Sequence, residues 1–340
     1  MGYVLDQDGF TRVLAKLGQS RRIYAPVNKV GEGRYTDVDV VRYDFVSEAR
    51  EIELDKKSDY AFKEILTPLS QTLFFFTEEE VKEADMDDRE VIIFLRSCDL
   101  HAVKRLDAIY LENKFEDPFY KRIRDKVRFA LIGCGHSYED CFCASMGTNR
   151  ADGGYLFSVD LIDGKYYFDV KDEELAAVFA AEAESEQAVE ARYVTENEVK
   201  VTVPKDVPVS IYKDPLWEEY TARCINCGRC NFVCPTCTCY TMQDVYYTEN
   251  GKVGERRRVG ASCMVDGYTN VAGGGQYRKT KGERMRFKVL HKIFDFRKRF
   301  GYDMCVGCGR CDMVCPEYIS FSACINKVNK AVEEVQNGSN

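Results

Sequence analysis

Two stretches of the chain each carry four cysteines at one spacing. They are Cys224-Ile-Asn-Cys227-Gly-Arg-Cys230-Asn-Phe-Val-Cys234-Pro235 and Cys305-Val-Gly-Cys308-Gly-Arg-Cys311-Asp-Met-Val-Cys315-Pro316. Three thiolates two residues apart lie on one tight loop and take three corners of a 4Fe-4S cube, so the fourth corner must come from elsewhere. Where two such runs occur together, the cysteine before the proline serves the other cube. One cube is therefore assigned Cys224, Cys227, Cys230 and Cys315, and the other Cys305, Cys308, Cys311 and Cys234. Pro235 and Pro316 turn the chain away, and Gly228 and Gly309 are expected to let backbone approach the sulfides. Structural zinc also uses CxxC pairs, but it does not call for two four-cysteine runs that each end in proline.

A second group of thiols lies nearer the amino terminus. An apolar strand expected over 91–95 runs into Arg96-Ser97-Cys98-Asp99, with Asp99 a plausible cap for the helix that follows. Another apolar strand over 127–132 ends in Gly133-Cys134-Gly135, and Cys141 and Cys143 follow within one loop. Parallel neighbouring strands would end side by side and bring these loops together. Cys98, Cys134, Cys141 and Cys143 thus form a candidate third 4Fe-4S site; the plainer reading makes them small buried hydrophobes. The Gly133 turn mimics a dinucleotide fingerprint, but Tyr138 stands where that fingerprint wants glycine or alanine. The remaining thiols, Cys237, Cys239, Cys263 and Cys324, read as packed near the clusters and not as ligands.

The elements that must position these thiols follow from pattern and length. A chain of 340 residues with 45% hydrophobic content can form two globular domains. The expected fold is α+β: a mixed α/β domain over 1–214, then a mainly helical, two-cluster ferredoxin-like domain over 215–340 with a long insertion. The first domain opens on an amphipathic helix and contains a hairpin around Asp163-Gly164 and an acidic helix over 172–192. Pro204, Pro208 and Pro215 punctuate the boundary, and Trp217 reads as a core anchor for the next helix. The insertion between the cysteine runs is basic, through Arg256, Arg257, Arg258, Arg284, Lys288, Lys292 and others, and suggests a docking surface for an acidic partner or a solvated helix face.

Several functions are excluded by composition. A net charge of −8 argues against nucleic acid as a partner. No apolar run approaches a membrane span. Sixteen cysteines without an export signal point to a reducing cytoplasm and to metal ligation in place of disulfides. Three histidines leave few candidates for acid–base catalysis, and no hydrolytic constellation is present.

The two cysteine runs, the Cys234-Pro-Thr-Cys-Thr-Cys239 tail, the Arg96-Ser-Cys-Asp99 turn and the Cys141-Phe-Cys143 loop together resemble the iron-sulfur subunit of anaerobic sulfite reductase. They are similar almost as closely to the beta subunit of cytoplasmic nickel-iron sulfhydrogenases. The resemblance implies an electron-transfer subunit with no substrate chemistry of its own. It also implies two partners: a flavin-containing, NADH-oxidising subunit, and a catalytic subunit, which carries siroheme in the sulfite reductase case. A stand-alone iron-sulfur oxidoreductase with an open cluster corner is the reading of a different class.

Overall fold

The computed structural model describes residues 1–33 and 37–338. Its amino-terminal part is built from β1 (Gly2–Leu5), α1 (Gln7–Leu17), β2 (Arg21–Lys29), β3 (Val40–Val46), β4 (Ser70–Phe76), β5 (Val81–Glu83), β6 (Glu90–Arg96), α2 (Ser97–Tyr110), α3 (Pro118–Arg124), β7 (Val127–Ile132), β8 (Phe157–Ile162), β9 (Lys165–Val170), α4 (Glu173–Ala180) and β10 (Ser185–Glu186). Eight of these strands form one sheet in the order β10-β1-β9-β8-β7-β6-β2-β3. Strands β2, β6, β7 and β8 run parallel, and the outer pairings are antiparallel.

Strand β6 shows why the centre of this sheet forms. Its Val91-Ile-Ile-Phe-Leu95 run is apolar at every position, the pattern of a strand covered on both faces. Ile92 and Phe94 pack with Phe10, Val13 and Leu14 of α1 and with Phe157 and Phe168. Ile93 and Leu95 point to the opposite core, with Val103 and Leu106 of α2. That second core also takes in Val306 and Cys308, from the second cysteine run. The carboxyl-terminal part is therefore packed into the sheet of the amino-terminal part.

The carboxyl-terminal part contains α5 (Leu216–Arg223), α6 (Arg229–Phe232), β11 (Tyr240–Tyr246), β12 (Gly254–Gly260), α7 (Lys281–Leu290), α8 (Phe296–Phe300), α9 (Arg310–Met313) and α10 (Phe321–Gly338). A π-helical turn, His291–Asp295, joins α7 to α8. The insertion is not wholly helical: β11 and β12 form a hairpin, and β12 pairs with β4 in a second sheet of order β11-β12-β4-β5. Strands from both sides of the expected boundary at Pro215 thus share one hydrogen-bonded sheet. The mixed α+β class with a dicluster domain near the carboxyl terminus holds.

Two local expectations change and two hold. The acidic helix expected over 172–192 is only α4: Asp172 caps it by accepting from the Leu175 N–H. Beyond it, Glu182 turns back to Arg12 and Lys16, and Ser185 and Glu186 pair with the edge of β1. The hairpin at Asp163-Gly164 forms as expected, with both residues at positive φ, 50° and 76°. Asp99 does not cap α2. The cap position is Arg96, and Asp99 lies fully buried in the first turn. Trp217 is a core anchor whose Nε1–H donates to the Ile211 carbonyl at 2.7 Å.

Candidate metal centres

The first cysteine run begins at the end of α5, where Cys224 is extended, and Gly228 at φ 75° turns the chain into α6. The second run makes the same turn at Gly309, φ 69°, into α9. The glycines of the second run also admit a second loop. A side chain on Gly309 would fall 2.2 Å from the Asp140 carbonyl oxygen, and one on Gly307 2.6 Å from the Phe142 backbone. The Phe142 N–H donates to the Gly307 carbonyl at 2.8 Å. Glycine here admits the 140–143 loop, which brings two of the amino-terminal thiols against the second run.

Two neighbouring cavities are lined by the cysteines of the paired runs. One is lined by Cys224, Cys227, Cys230 and Cys315, together with Met264, Met285 and Lys288. The other is lined by Cys305, Cys308, Cys311 and Cys234, with Phe142, Lys288 and Lys292. Cys230 and Cys311 line both cavities, so the two sets are neighbours. Electrostatics gives the same grouping. Burial raises the Cys224 thiol, and the opposing backbone bond from Asn226 is followed by repulsion from Cys230, Cys227 and Cys315. Burial pushes Cys305 up to about 12; the Gly307 N–H and Lys292 oppose it, and the charges of Cys308 and Cys234 add to it.

The amino-terminal thiols also gather. Strands β6 and β7 are in register with Arg96 opposite Ile132, so the two loops that follow leave the same edge of the sheet. Cys143, raised to about 12 mainly by burial, feels Cys141 and Cys134, and Cys98 feels Cys143 and also Cys308 of the second run. The Arg96 guanidinium reaches Cys134 Sγ at 3.5 Å, and Lys57 Nζ reaches Cys141 Sγ at 3.5 Å. Cys143 Sγ lies 3.6 Å from the side-chain oxygen of Asn197.

These sets fit iron-sulfur cubes better than single ions. Among the described residues, no three His, Cys, Asp or Glu side chains converge closely enough for one ion, whereas a tetrahedral zinc site draws its ligands to a point. In each set burial comes first, and the charge of other thiols of the set then adds to the rise of a member's pKa. Backbone N–H groups already face the sulfurs: Asn226 to Cys224 at 3.4 Å, Gly307 to Cys305 at 3.5 Å and Ile319 to Cys315 at 3.3 Å. Such bonds raise a cluster's reduction potential.

Buried ammonium groups supply the balancing charge. Burial opposes the charge on Lys288, but the thiolates of Cys230, Cys311 and Cys237 outweigh it and hold its pKa well above the ordinary lysine value. Lys292 is raised in the same way by Cys234, Cys237 and Cys305. It also donates to Thr236 Oγ1 at 2.8 Å, and that hydroxyl lies 3.4 Å from Cys234 Sγ. The π turn containing Lys292 frees its carbonyl to accept from the Met304 and Cys305 N–H groups at 2.8 and 3.2 Å, which fixes the entry to the second run.

Sequence reasoning assigned these lysines to a basic surface, and that assignment is corrected here. Lys288 and Lys292 are both 3% exposed. Four arginines of the insertion are paired with carboxylates of the chain: Arg256 with Asp244, Arg257 with Glu255, Arg258 with Asp117 and Arg284 with Asp266. A signal was present. Lys288 and Lys292 lie four residues apart on the stripe that carries Met285, Val289 and Ile293, which is the apolar face of the helix. Arg310 was missed as well. It forms a fully buried two-bond pair with Asp99 at 2.6 and 2.8 Å and also donates to Ser58, tying α9 to the Cys98 turn. His101 has a structural role, with Nε2 2.8 Å from the Arg150 carbonyl.

Fold and thiol geometry define an iron-sulfur protein whose redox groups would be embedded between a mixed sheet and a ferredoxin-like module. The 4Fe-4S dicluster domain family matches residues 223–319. Along nearly its whole length the chain is similar to the sulfhydrogenase 2 beta subunit of Pyrococcus furiosus, at 30% identity over 353 residues, covering 98% of this chain and 100% of the relative. The chain belongs to this family of sulfhydrogenase beta subunits. It is an iron-sulfur electron-transfer protein that carries 4Fe-4S clusters. Among the described residues no helix is long and apolar enough to cross a membrane.

Proposed function

We propose that this chain is the electron-transfer beta subunit of a cytoplasmic nickel-iron sulfhydrogenase-type complex, conducting between a flavin-containing, NADH-oxidising partner and a catalytic one. The observation that carries this reading is the unbroken succession of three thiol sets. Cys98 packs in the core that holds Cys308, and Cys141 Sγ lies 3.7 Å from the Cys308 carbonyl oxygen; Cys308 shares its cavity with Cys311 and Cys234; Cys311 also lines the cavity of Cys224, Cys227, Cys230 and Cys315. When bound, 4Fe-4S groups supply one-electron transfer at potentials set by charge, hydrogen bonds and burial. The protein's own part is to hold twelve thiolates in crossed and grouped sets, to offset their charge with Lys57, Lys288 and Lys292, and to exclude water from the middle set.

The first set lies nearest the surface. Cys227 is exposed, and Ile225 and Tyr318 beside it are 54% and 87% exposed. This end is the proposed contact with one partner subunit, and the Cys134 loop, at the carboxyl edge of the sheet, is the proposed contact with the other. Full-length similarity to a protein named as a beta subunit supports partner subunits. The resemblance of the Arg96-Ser-Cys-Asp99 turn and the Cys141-Phe-Cys143 loop to the iron-sulfur subunit of anaerobic sulfite reductase favours a second reading, in which the catalytic partner carries siroheme.

Anaerobic purification of the native complex tests both readings. Co-purifying nickel supports the first, siroheme the second, and neither metal nor flavin subunit would refute the wire. Ligand crossing is tested separately. Cys234→Ser is expected to alter the electron paramagnetic resonance signal of the set containing Cys305, and Cys315→Ser that of the set containing Cys224. Iron near twelve per chain is expected if all three sets are filled; iron stopping near eight would empty the amino-terminal set.

A further inference from the structure

Residues 54–58 form no helix or strand, yet they are held from both sides of the junction between the amino-terminal thiols and the middle set of Cys305, Cys308, Cys311 and Cys234. On the amino-terminal side, the Arg96 guanidinium donates to the Leu54 and Lys56 carbonyls at 2.7 and 3.1 Å, and the Tyr138 hydroxyl donates to the Asp55 carbonyl at 2.9 Å. On the other side, Arg310 of α9 donates to the Ser58 carbonyl and to the Ser58 hydroxyl, both at 2.9 Å. Asp59 then pairs with the backbone of Val41 in β3. What this segment positions is Lys57, which is 8% exposed.

Lys57 Nζ meets both sets at one point. It lies 3.5 Å from Cys141 Sγ and 3.1 Å from the Cys308 carbonyl oxygen, and Cys141 Sγ is 3.7 Å from that same oxygen. A free thiol can donate to the carbonyl, but a sulfur that ligates metal has lost its proton and only accepts. Two acceptors then face each other, and the Lys57 ammonium, with three N–H groups, satisfies both. Arg310, the other buried cation at this junction, has its charge answered by Asp99 at 2.6 and 2.8 Å. The hydrogen-bond partners of Lys57 are instead a sulfur and a carbonyl. The Asp140 carboxyl feels this ammonium, but burial outweighs it and raises the group. Tyr138, which stands where a dinucleotide fingerprint would have glycine, places its ring centre 6.0 Å from Lys57 Nζ and 4.8 Å from the Arg96 guanidinium, so one aromatic ring attends both cations.

We propose that Lys57 is a positioning residue shared by the amino-terminal and middle sets, whose one ammonium both joins them and favours an added electron on either. A buried unit charge a few ångströms away acts with little screening, so its removal lowers the potentials of both sets together. Shared in this way, the charge moves the two sets in step and keeps the gap between them small for passage in either direction. Lys288 lines the cavities of both paired runs. With Lys57, each junction between neighbouring sets therefore holds one buried ammonium. The inference rests on reading Cys98, Cys134, Cys141 and Cys143 as a third set.

The test uses full-length, iron-loaded protein prepared anaerobically. Wild type, Lys57→Met, Lys57→Gln, Lys57→Arg and Lys56→Met are titrated potentiometrically with electron paramagnetic resonance detection, and iron content and melting temperature are measured on the same samples. Signals are assigned to sets with the Cys234→Ser and Cys315→Ser variants. Lys57→Gln keeps a donor for the Cys308 carbonyl without the charge; Lys57→Arg keeps both. Met and Gln are each expected to lower the potentials of the amino-terminal and middle sets by about 59 mV, a tenfold change in the ratio of reduced to oxidised form. The set of Cys224 is expected to stay in place, and Lys57→Arg to remain near wild type. Lys56 is exposed, so Lys56→Met controls for a general loss of surface charge and should move neither signal. A lower melting temperature with unmoved potentials, at iron near twelve per chain, would overturn the shared charge, reduce Lys57 to a structural donor and leave the three sets standing. A shift confined to one set would overturn the sharing. Iron stopping near eight in the wild type would fault the third set itself, and the sharing with it.

Discussion

The two cysteine runs share spacing, a Gly-Arg pair and a left-handed glycine, yet they live in different environments. In the first run Cys227 and Arg229 are exposed, and the neighbouring Ile225 faces solvent. In the second, residues 304–310 are buried without a break, and Arg310 is locked to Asp99 in the interior. One pattern of ligands therefore yields a surface centre and an interior centre. Solvent exposure is a determinant of cluster potential, so on the proposed assignment two runs of the same spacing would be tuned apart by what covers them.

This contrast can be broken most severely at the second run. Cys308→Ser removes a proposed ligand of the middle set and a member of the core beneath α2. It is expected to cost iron from more than one set and to lower thermal stability, whereas Cys227→Ser at the surface should cost about four iron and leave the melting temperature nearly unchanged. Iron analysis and calorimetry check both, and equal losses from the two variants would erase the distinction. Arg310→Met leaves the Asp99 carboxylate buried and unpaired and should destabilise the chain by about 3–5 kcal/mol. The double variant Arg310→Met with Asp99→Leu should recover most of that in denaturant unfolding, and the corresponding change at Arg229 should have little effect.

Buried charge sharpens the comparison more finely. Lys288 lines both cavities, while Lys292 lines only that of the second run. Lys288→Met is expected to lower the potentials of both centres by on the order of 60 mV, the one-electron equivalent of a tenfold change. Lys292→Met should act chiefly on the second. Potentiometric titration with spectroscopic detection reads each, and an upward shift would contradict the charge-balancing role. The smallest effect is expected from Arg256→Glu. Arg256 is exposed and paired with Asp244 on the adjacent strand, a contact of about 0.2–1 kcal/mol, so complex assembly measured at low salt should change little.

The comparison also bears on the expected domain boundary. Val306 and Cys308 complete the core of the large sheet, and β12 completes the sheet begun by β4 and β5. A chain ending near Pro204 would lose both, so the amino-terminal thiol set depends on residues more than 160 positions away.

The spacing of the cysteine runs was legible in the residues because ligand geometry is local: three thiolates on one loop need fixed short intervals, and a following proline needs no partner to act. Strands β6 and β7 were legible for a similar reason, since a fully apolar run must be buried on both faces wherever it goes. Their parallel pairing followed from chain-connection rules and placed Cys98 near Cys134. The fate of charge was decided only by tertiary structure. Nothing in the residues around Arg310 says that Asp99, more than two hundred positions earlier, will meet it, or that Arg229 in the same motif will meet water. Lys288 and Lys292 read as surface charge until the folded chain surrounds them with sulfur, because the energy of a buried ammonium depends on what lies within a few ångströms of it and not on its neighbours along the chain.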